Sequence, residues 1–265
     1  MKLSILVPVY NEERTLAQVI ERVQATPYEK ELVVVDDGSS DGSPRVLAEL
    51  AQRFPNMRVL RHEKNRGKGA ALATALAHVS GDVVLIQDAD LEYDPNDYGA
   101  LVKPIEEGKA DVVFGSRFLG GTHRCHLFWH YVGNRFLTFV SNVFTNLNLT
   151  DMETCYKVFR SDVLKQITVQ EDRFGFEPEI TAKLARLGCR FYEVGISYDG
   201  RGYDEGKKIG LKDALWAFVC ILRYGLLGRT RKERIRPAEP VAVGDGPPAP
   251  PPVPEEKVAQ LSRKS

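Results

Sequence analysis

A chain of 265 residues, 43% of them apolar, can bury the core of one large domain or two small ones, and is too apolar to be disordered throughout. Its 36 basic residues balance 36 acidic ones, so no basic excess points to a nucleic-acid partner. No run of uncharged apolar residues is long enough to span a membrane, and the apolar run before Pro8 is too short for a signal peptide. The four scattered cysteines fit reduced thiols in a cytoplasmic protein.

Residues 3–7 read as a first strand. Asn11 is placed to cap a helix whose apolar positions Leu16, Val19, Ile20 and Val23 follow helical spacing, with Glu12 and Glu13 in its first turn, where the dipole favours acids. Residues 31–35 are continuous and β-branched, as in a buried parallel strand. The turn after them, Asp36-Asp37-Gly38-Ser39-Ser40-Asp41-Gly42, leads to Ser43 as N-cap and Pro44 at the first helical position. Val46, Leu47, Leu50 and Phe54 form the next helix face, and residues 57–60 a third strand. Lys64-Asn65-Arg66-Gly67-Lys68-Gly69 is a basic, glycine-rich loop opening a helix near Ala70. It lacks the spacing of a dinucleotide fingerprint or a P-loop. What remains is either an anion site of backbone N–H groups and cations at a helix N-terminus, or an ordinary strand-to-helix loop.

A fourth apolar run, Val83-Val84-Leu85-Ile86, leads into Gln87-Asp88-Ala89-Asp90-Leu91-Glu92. In extended chain residues i, i+2 and i+4 share one side, so Asp88, Asp90 and Glu92 can converge on one point. Three hard oxygen ligands on a loop suit Mg2+ or Mn2+. An isolated D-x-D is more often a solvated turn; the strand–helix units before this one favour the ligand site. Asp94-Pro95 starts another helix, with Leu101, Val102 and Ile105 on its buried face. Residues 112–114 form a fifth strand ending in Gly115-Ser116-Arg117-Phe118. The alternation predicts an α/β fold, an open, mostly parallel sheet with helices on both faces. Ligands of such sheets sit beyond the strands' C-terminal ends, where Pro8, Tyr10, Glu12, Asp36, Asp37, Asp88, Asp90 and Arg117 all fall.

The second half is less regular. Residues 127–146 read as an aromatic-rich helix, 156–159 as a strand, and Glu177-Pro178-Glu179 as the start of a helix closed by Gly188. A strand over 190–196 follows, then a polar loop carrying Arg201, Glu205, Lys207 and Lys208, and a helix over 211–227 that is apolar nearly all round. From residue 229 the chain holds eight of its fifteen prolines and reads as a disordered tail. Arg229, Arg231, Lys232, Arg234 and Arg236 after the apolar helix point to interfacial membrane attachment rather than spanning. His123, Cys125, His126 and His130 have partial zinc spacing, but no further cysteine pair or acid completes the set.

Four ordered motifs, Val7-Pro8-Val9-Tyr10-Asn11-Glu12-Glu13, Val35-Asp36-Asp37-Gly38-Ser39, Asp88-Ala89-Asp90 and Gly115-Ser116-Arg117, resemble the inverting GT-A glycosyltransferases of family 2. The likeness runs from residue 1 to about 227. Thr154-Cys155-Tyr156-Lys157-Val158-Phe159-Arg160 and Arg201-Gly202-Tyr203-Asp204-Glu205-Gly206-Lys207 bring it nearest to the polyprenyl-phosphate sugar transferases of the dolichyl-phosphate mannose synthase type. The resemblance implies a GT-A domain over 1–228, with a nucleotide-sugar half (1–118) and an acceptor half (119–228) bearing amphipathic interfacial helices, ahead of the tail at 229–265. It implies metal-dependent transfer of a hexose, with inversion, from a nucleoside diphosphate sugar to dolichyl or undecaprenyl phosphate. Pro8, Tyr10, Glu12, Val35 and Asp37 would hold base and ribose, with Lys68 a further nucleotide-sugar contact. Asp88 and Ala89 would lie along ribose and diphosphate. Asp90, with Asp88 and Glu92, would bind Mg2+ or Mn2+; the mannose synthases often carry Gln at the place of Glu92. Arg117, Arg201 and Lys207 would grip the acceptor phosphate, and Asp88, Asp90 and Arg117 would carry catalysis. The implied location is cytoplasmic, peripheral at the inner face of a membrane, with no nucleic-acid partner.

A phosphate acceptor is already ionised near neutral pH and needs cations rather than a base. A hydroxyl acceptor would need a general base, for which Asp151, Glu153, Glu177 and Glu179 are candidates. Transfer to a soluble or glycan hydroxyl is therefore the alternative activity. A non-catalytic nucleotide-sugar-binding protein is a third reading, against which the intact Asp88, Asp90 and Arg117 argue.

Overall fold

The computed structural model describes residues 1–120, 124, 128–201 and 210–226. Strands form where the sequence runs apolar and β-branched: β1 (Leu3–Val9), β2 (Lys30–Asp36), β3 (Met57–Arg61), β4 (Val83–Ile86) and β5 (Val112–Ser116). Between and after them come α1 (Leu16–Ala25), α2 (Ser43–Arg53), α3 (Lys68–Leu76), α4 (Tyr98–Glu106) and α5 (Phe128–Thr145). The rest is β6 (Lys157–Arg160), a short α6 (Ser161–Leu164), α7 (Phe176–Leu187), β7 (Phe191–Gly195) and α8 (Leu211–Leu226).

These strands make a seven-stranded sheet in the order β3-β2-β1-β4-β6-β5-β7. β6 runs antiparallel to β4 and β5, and every other pairing is parallel. Because β6 is inserted between β4 and β5, one sheet takes strands from both halves of the chain. All four residues of β4 are buried, as a run without a polar face requires. The general preference for right-handed crossovers places α1 and α2, which pack on each other on the outward path from β1 to β3, on one face. It places α3, on the return path to β4, on the other. The chain leaves β1 toward β2 and later returns to β1's opposite side as β4. That reversal opens a crevice beyond the C-terminal ends of β1 and β4, the switch point at which such sheets hold ligands. The register pairs Leu6 with Ile86 and gives the Gln87 N–H to the Leu6 carbonyl, so residues 8–12 and 87–92 leave the sheet side by side.

The local reading of the first helix is corrected by this crevice. Asn11 does not cap α1; it stands in the left-handed region, φ 52°, and its Oδ1 accepts the Ser40 N–H. Glu12 and Glu13 also lie ahead of the helix, which begins at Leu16. The β1–α1 loop is bound instead to the β2–α2 loop: the N–H groups of Asn11, Glu12 and Glu13 donate to Ser39 Oγ, Ser43 Oγ and Asp41. Ser43 opens α2 one residue later than a cap would stand, its hydroxyl spent on Glu12.

α7 is closed by Gly188 at φ 76°, as expected. α5 and α8 pack on α7 and on each other, with Phe136 stacked on Phe218. α8 is apolar all round because it has two apolar surroundings. Ala217, Cys220, Ile221 and Tyr224 face protein, while Leu215, Trp216, Val219 and Leu226 are exposed. On α5 only Leu137, Thr138 and Ser141 are buried, and Phe128, Trp129, Val132, Phe136, Phe139 and Val143 are exposed. Among the described residues no helix is long and apolar enough to cross a membrane. Cys155, Cys189 and Cys220 are free thiols. The tail from 229, Lys207, and His123, Cys125 and His126 of the zinc reading lie outside the described residues.

Candidate active site

The acids after β4 divide between two cations. Asp90 and Glu92 both reach Arg201: Asp90 Oδ2 lies 2.6 Å from its Nη2, and Glu92 Oε1 lies 3.2 Å from its Nε. The third carboxylate on that guanidinium is Glu12, at 3.3 Å. Asp88 turns to Lys68, whose Nζ is 3.0 Å from Asp88 Oδ1 and 3.3 Å from Glu177 Oε1. The expected single point of Asp88, Asp90 and Glu92 is therefore corrected: Glu12 joins Asp90 and Glu92, and Asp88 stands beside them. The alternation fails because the chain turns after Ile86, with the Glu92 N–H folded back onto Asp90 Oδ1.

This is a crowded negative site. Burial, and then Asp88 and Glu92, push the Asp90 carboxyl up to about 7, with Arg201 acting in the opposite direction. Arg201 loses some basicity to burial and regains more from Asp90, Glu12 and Glu92, so it stays charged. Three carboxylates on one cation offer the hard oxygen donors that a divalent metal uses, but with Arg201 among them no three acids of the described residues stand close enough together to hold an ion as they are. Neither Asp88 nor Asp90 is sealed from solvent: their side chains remain 22% and 13% exposed.

Buried polar groups fix the acidic loop. Gln87 is fully buried, its Oε1 accepting hydrogen bonds from Tyr98 and Tyr156 and its Nε2 donating to the Asp88 carbonyl. The Thr15 hydroxyl donates to the Ala89 carbonyl at 2.9 Å, and Ala89 itself is buried. Tyr198 donates to Glu92 Oε2 at 2.6 Å and the Arg201 N–H to Glu92 Oε1 at 2.9 Å.

Two of the residues named for the nucleotide lie at the C-terminal end of β2. The Val35 side chain is sealed in β2. Asp37 is buried, accepting from the Arg66 and Gly67 N–H groups and lying 2.6 Å from His62 Nδ1. The glycine-rich loop thus binds an anion, but that anion is Asp37. Its glycines answer a close approach: a Cβ on Gly69 would fall 1.9 Å from the Glu171 carbonyl oxygen, and one on Gly67, at φ 108°, 2.3 Å from that of Asp172. Of the other residues named for the nucleotide, Pro8 lies near the end of β1, Tyr10 follows it and is exposed, Glu12 reaches Arg201 and Lys68 reaches Asp88.

Arg117, at the end of β5, donates through Nε and Nη2 to the two oxygens of Asp151, both at 2.7 Å. Asp151 is fully buried, and Arg117 lies over the Tyr198 ring at 5.1 Å. Burial pulls the guanidinium down but Asp151 outweighs it, so the charge is retained. Tyr198 joins this clamp to Glu92. Sequence reasoning missed Gln87, Thr15 and Tyr198. A glutamine at the end of a wholly apolar strand was the one available signal.

The glycosyl transferase family 2 model matches residues 4–168, more than half of the chain. The chain belongs to glycosyltransferase family 2. A dolichyl-phosphate beta-glucosyltransferase of Trichomonas vaginalis is 28% identical over 253 residues, covering 88% of this chain and 76% of that one. An undecaprenyl-phosphate mannosyltransferase of Micrococcus luteus is 29% identical over 251 residues, covering 89% and 99%. Among solved structures, glucosyl-3-phosphoglycerate synthase of Mycobacterium tuberculosis, in complex with Mn2+, UDP and glucosyl-3-phosphoglycerate, superposes with a TM-score of 0.64 at 22% identity, covering 84% of this chain and 79% of the other. That likeness shows a shared GT-A fold. This glycosyltransferase therefore has the architecture its strand–helix alternation predicted.

Proposed function

We propose that this glycosyltransferase moves a hexose, with inversion, from a nucleoside diphosphate sugar to a polyprenyl phosphate, with Mg2+ or Mn2+ at the acidic ring. The observation that carries the reading is the closure of Glu12, Asp90 and Glu92 on one cation at the sheet's switch point. A metal held there supplies Lewis-acid stabilisation of the departing diphosphate. With a metal in the ring Arg201 would be released from Glu12, Asp90 and Glu92, and its guanidinium would be free to take the acceptor phosphate. Lys68, already on Asp88, adds positive charge on the donor side. Arg117, held in one orientation by Asp151 and Tyr198, presents its remaining edge to the acceptor phosphate.

A phosphate acceptor is favoured by the state of the acids that a hydroxyl acceptor would call on. Asp151 is committed to Arg117, Glu177 to Lys68, and Glu179 to Lys183 and the Gln170 and Glu171 N–H groups. Glu153 is pushed up to about 8, chiefly by burial and then by Glu177, so near neutral pH it holds a proton rather than accepting one. The relatives named for dolichyl and undecaprenyl phosphate support the same class of acceptor. The exposed aromatic and aliphatic faces of α5 and α8 would place the enzyme at the membrane surface that such a lipid occupies.

The test is an assay of the purified protein in detergent with UDP-glucose or GDP-mannose, Mn2+ or Mg2+, and undecaprenyl or dolichyl phosphate. A glycolipid product that requires both metal and lipid phosphate is expected. Transfer only to soluble hydroxyls, or nucleotide binding with no turnover in any mixture, contradicts the reading.

A further inference from the structure

Three of the four unsatisfied side-chain oxygens of the described residues come from two stretches, the loop before β6 and the start of α7. Four buried side-chain oxygens have no hydrogen-bond partner: Glu153 Oε1, Thr154 Oγ1, Glu177 Oε2 and Asp36 Oδ2. Asp36 Oδ2 lies 3.1 Å from Arg61 Nε and is ion-paired at a poor angle. The other three come from the loop before β6 and the first turn of α7, and they have neither a hydrogen bond nor an ion pair of their own. Folding does not leave buried oxygens unpaired without cost, so a cluster of three calls for an explanation.

Their position supplies one. Asp88 touches Lys68 and Lys68 touches Glu177, while Glu153 lies close enough to Glu177, Arg117 and Asp151 for their charges to act on its carboxyl. The series runs from the acids beside the donor diphosphate to the arginine of the acceptor phosphate. A sugar passing from one phosphate to the other must lie between them, and Glu153 and Glu177 stand there.

The cluster is also held ready. Lys157, fully buried over the Phe114 ring, donates its ammonium protons to the Met152 and Thr154 carbonyls, fixing the backbone on both sides of Glu153. Lys157 is thereby spent on backbone and makes no hydrogen bond to the Glu153 carboxyl. Glu177 has one oxygen on Lys68 and the other unpaired. A sugar ring offers what these atoms lack, since each hydroxyl both donates and accepts.

We infer that Glu153, with Glu177 beside it, reads a hydroxyl of the transferred sugar and so sets which hexose this enzyme accepts. The inference rests on the proposed donor class, a nucleoside diphosphate hexose. A Glu153 carboxyl that holds its proton near neutral pH agrees with it, because such a group can donate to one hydroxyl and accept from another. The discrimination a site gains this way is large: losing the matched hydroxyl leaves the protein's own groups unpaired.

The test is a cycle between residue and hydroxyl. Wild type, Glu153→Gln, Glu153→Ala and Glu177→Gln are each titrated with UDP-glucose, GDP-mannose and the 2-, 3-, 4- and 6-deoxy forms of both sugars, in Mn2+, by calorimetry. UDP and GDP alone serve as references, and thermal unfolding shows which variants are folded. In the wild type, removing one particular hydroxyl should weaken binding by roughly tenfold or more; in Glu153→Ala the same removal should cost no more than about twofold, with UDP and GDP affinity unchanged. Glu153→Gln, which keeps the volume, should fold and fall between the two, and it carries the test alone if the alanine variant does not fold. Variants that discriminate among deoxy sugars as the wild type does overturn the inference, as does equal weakening toward the bare nucleotides. Because no acceptor is present, these readings stand apart from the transfer assay: a lipid acceptor that receives no sugar defeats the proposed function while the cycle is still read. Failure of the wild type to bind any of the sugar donors defeats both.

Discussion

Around Glu12, Asp90 and Glu92, every carboxylate touches the same guanidinium. In Glu153 and Glu177 one oxygen each is buried without a hydrogen-bond partner, and the Glu153 carboxyl is pushed up to about 8. Both groups of acids lie in one enzyme, but the first is neutralised by a side chain from a loop, while in the second Glu177 pairs with Lys68 and Glu153 holds its proton near neutral pH. The difference follows from what each has to hold. A site for an ion can be kept closed by a spare cation until the ion arrives. A site for neutral hydroxyls has no inexpensive substitute, and its atoms stay unpaired. Where a protein satisfies an acid cluster with a movable arginine, the cluster points to a cation. Where it leaves buried oxygens empty, the cluster points to a neutral polar ligand.

The largest effect should come from removing the ring's central charge. Asp90→Asn should lower metal-dependent transfer by about a thousandfold while circular dichroism and melting temperature stay close to wild type, since the ring is partly exposed and its loss uncovers no core. Undiminished turnover would mean that the acids around Arg201 are only a structural ion-pair network. Next in size, Arg117→Lys should reduce kcat/KM for the lipid phosphate by roughly ten- to a hundredfold, because a single ammonium cannot hold Asp151 in two parallel bonds and also face a phosphate. A loss in donor KM alone would move Arg117 to the other end of the crevice.

A third comparison concerns the helical faces. Trp129, 78% exposed, and Phe139 on the same helix should be replaceable by glutamate with activity in detergent held within about twofold, while flotation with anionic vesicles falls about tenfold or more. Unchanged flotation would remove α5 from the membrane surface. The smallest effect is on stability. The Glu153 carboxyl titrates near 8 when folded and near the ordinary glutamate value of 4.5 when unfolded. Between those values the folded state binds the proton more tightly, so stability falls as pH rises through the window. Glu153→Gln should flatten that slope and exceed wild type at pH 8.5 by at least about 1 kcal/mol, the free energy of one pKa unit, with the gap closing toward pH 5. Parallel pH profiles for the two proteins would show that Glu153 ionises freely in the folded state.

Much of this was legible in the residues. The apolar runs of β1, β2 and β4 read as strands buried on both faces, and Asp88-Ala89-Asp90 at the end of one of them sets carboxylates at the sheet edge where ligands of such folds sit. What the chain hid were partnerships across long separations. Glu12 looks like a first-turn helix acid, and only the binding of its loop to Ser39 and Ser43 swings it into the crevice. Arg201 meets Asp90 across 111 positions, and no local pattern announces that. Asp37 sits in a motif that reads as a ligand, yet the nearest anion-binding loop in the fold claims its carboxylate. Cys155 is buried with its N–H on the Tyr93 hydroxyl, a contact that belongs to the aromatic packing under the acidic loop.

The claim at the centre is that the ring of Glu12, Asp90 and Glu92 changes its cation when the donor nucleotide binds. Crystals grown with Mn2+ and UDP, measured at the manganese absorption edge, test it directly. The account predicts an anomalous peak within coordination distance of Asp90, with the Arg201 guanidinium displaced from the ring. A peak elsewhere in the molecule, with Arg201 still on all three carboxylates, would contradict it.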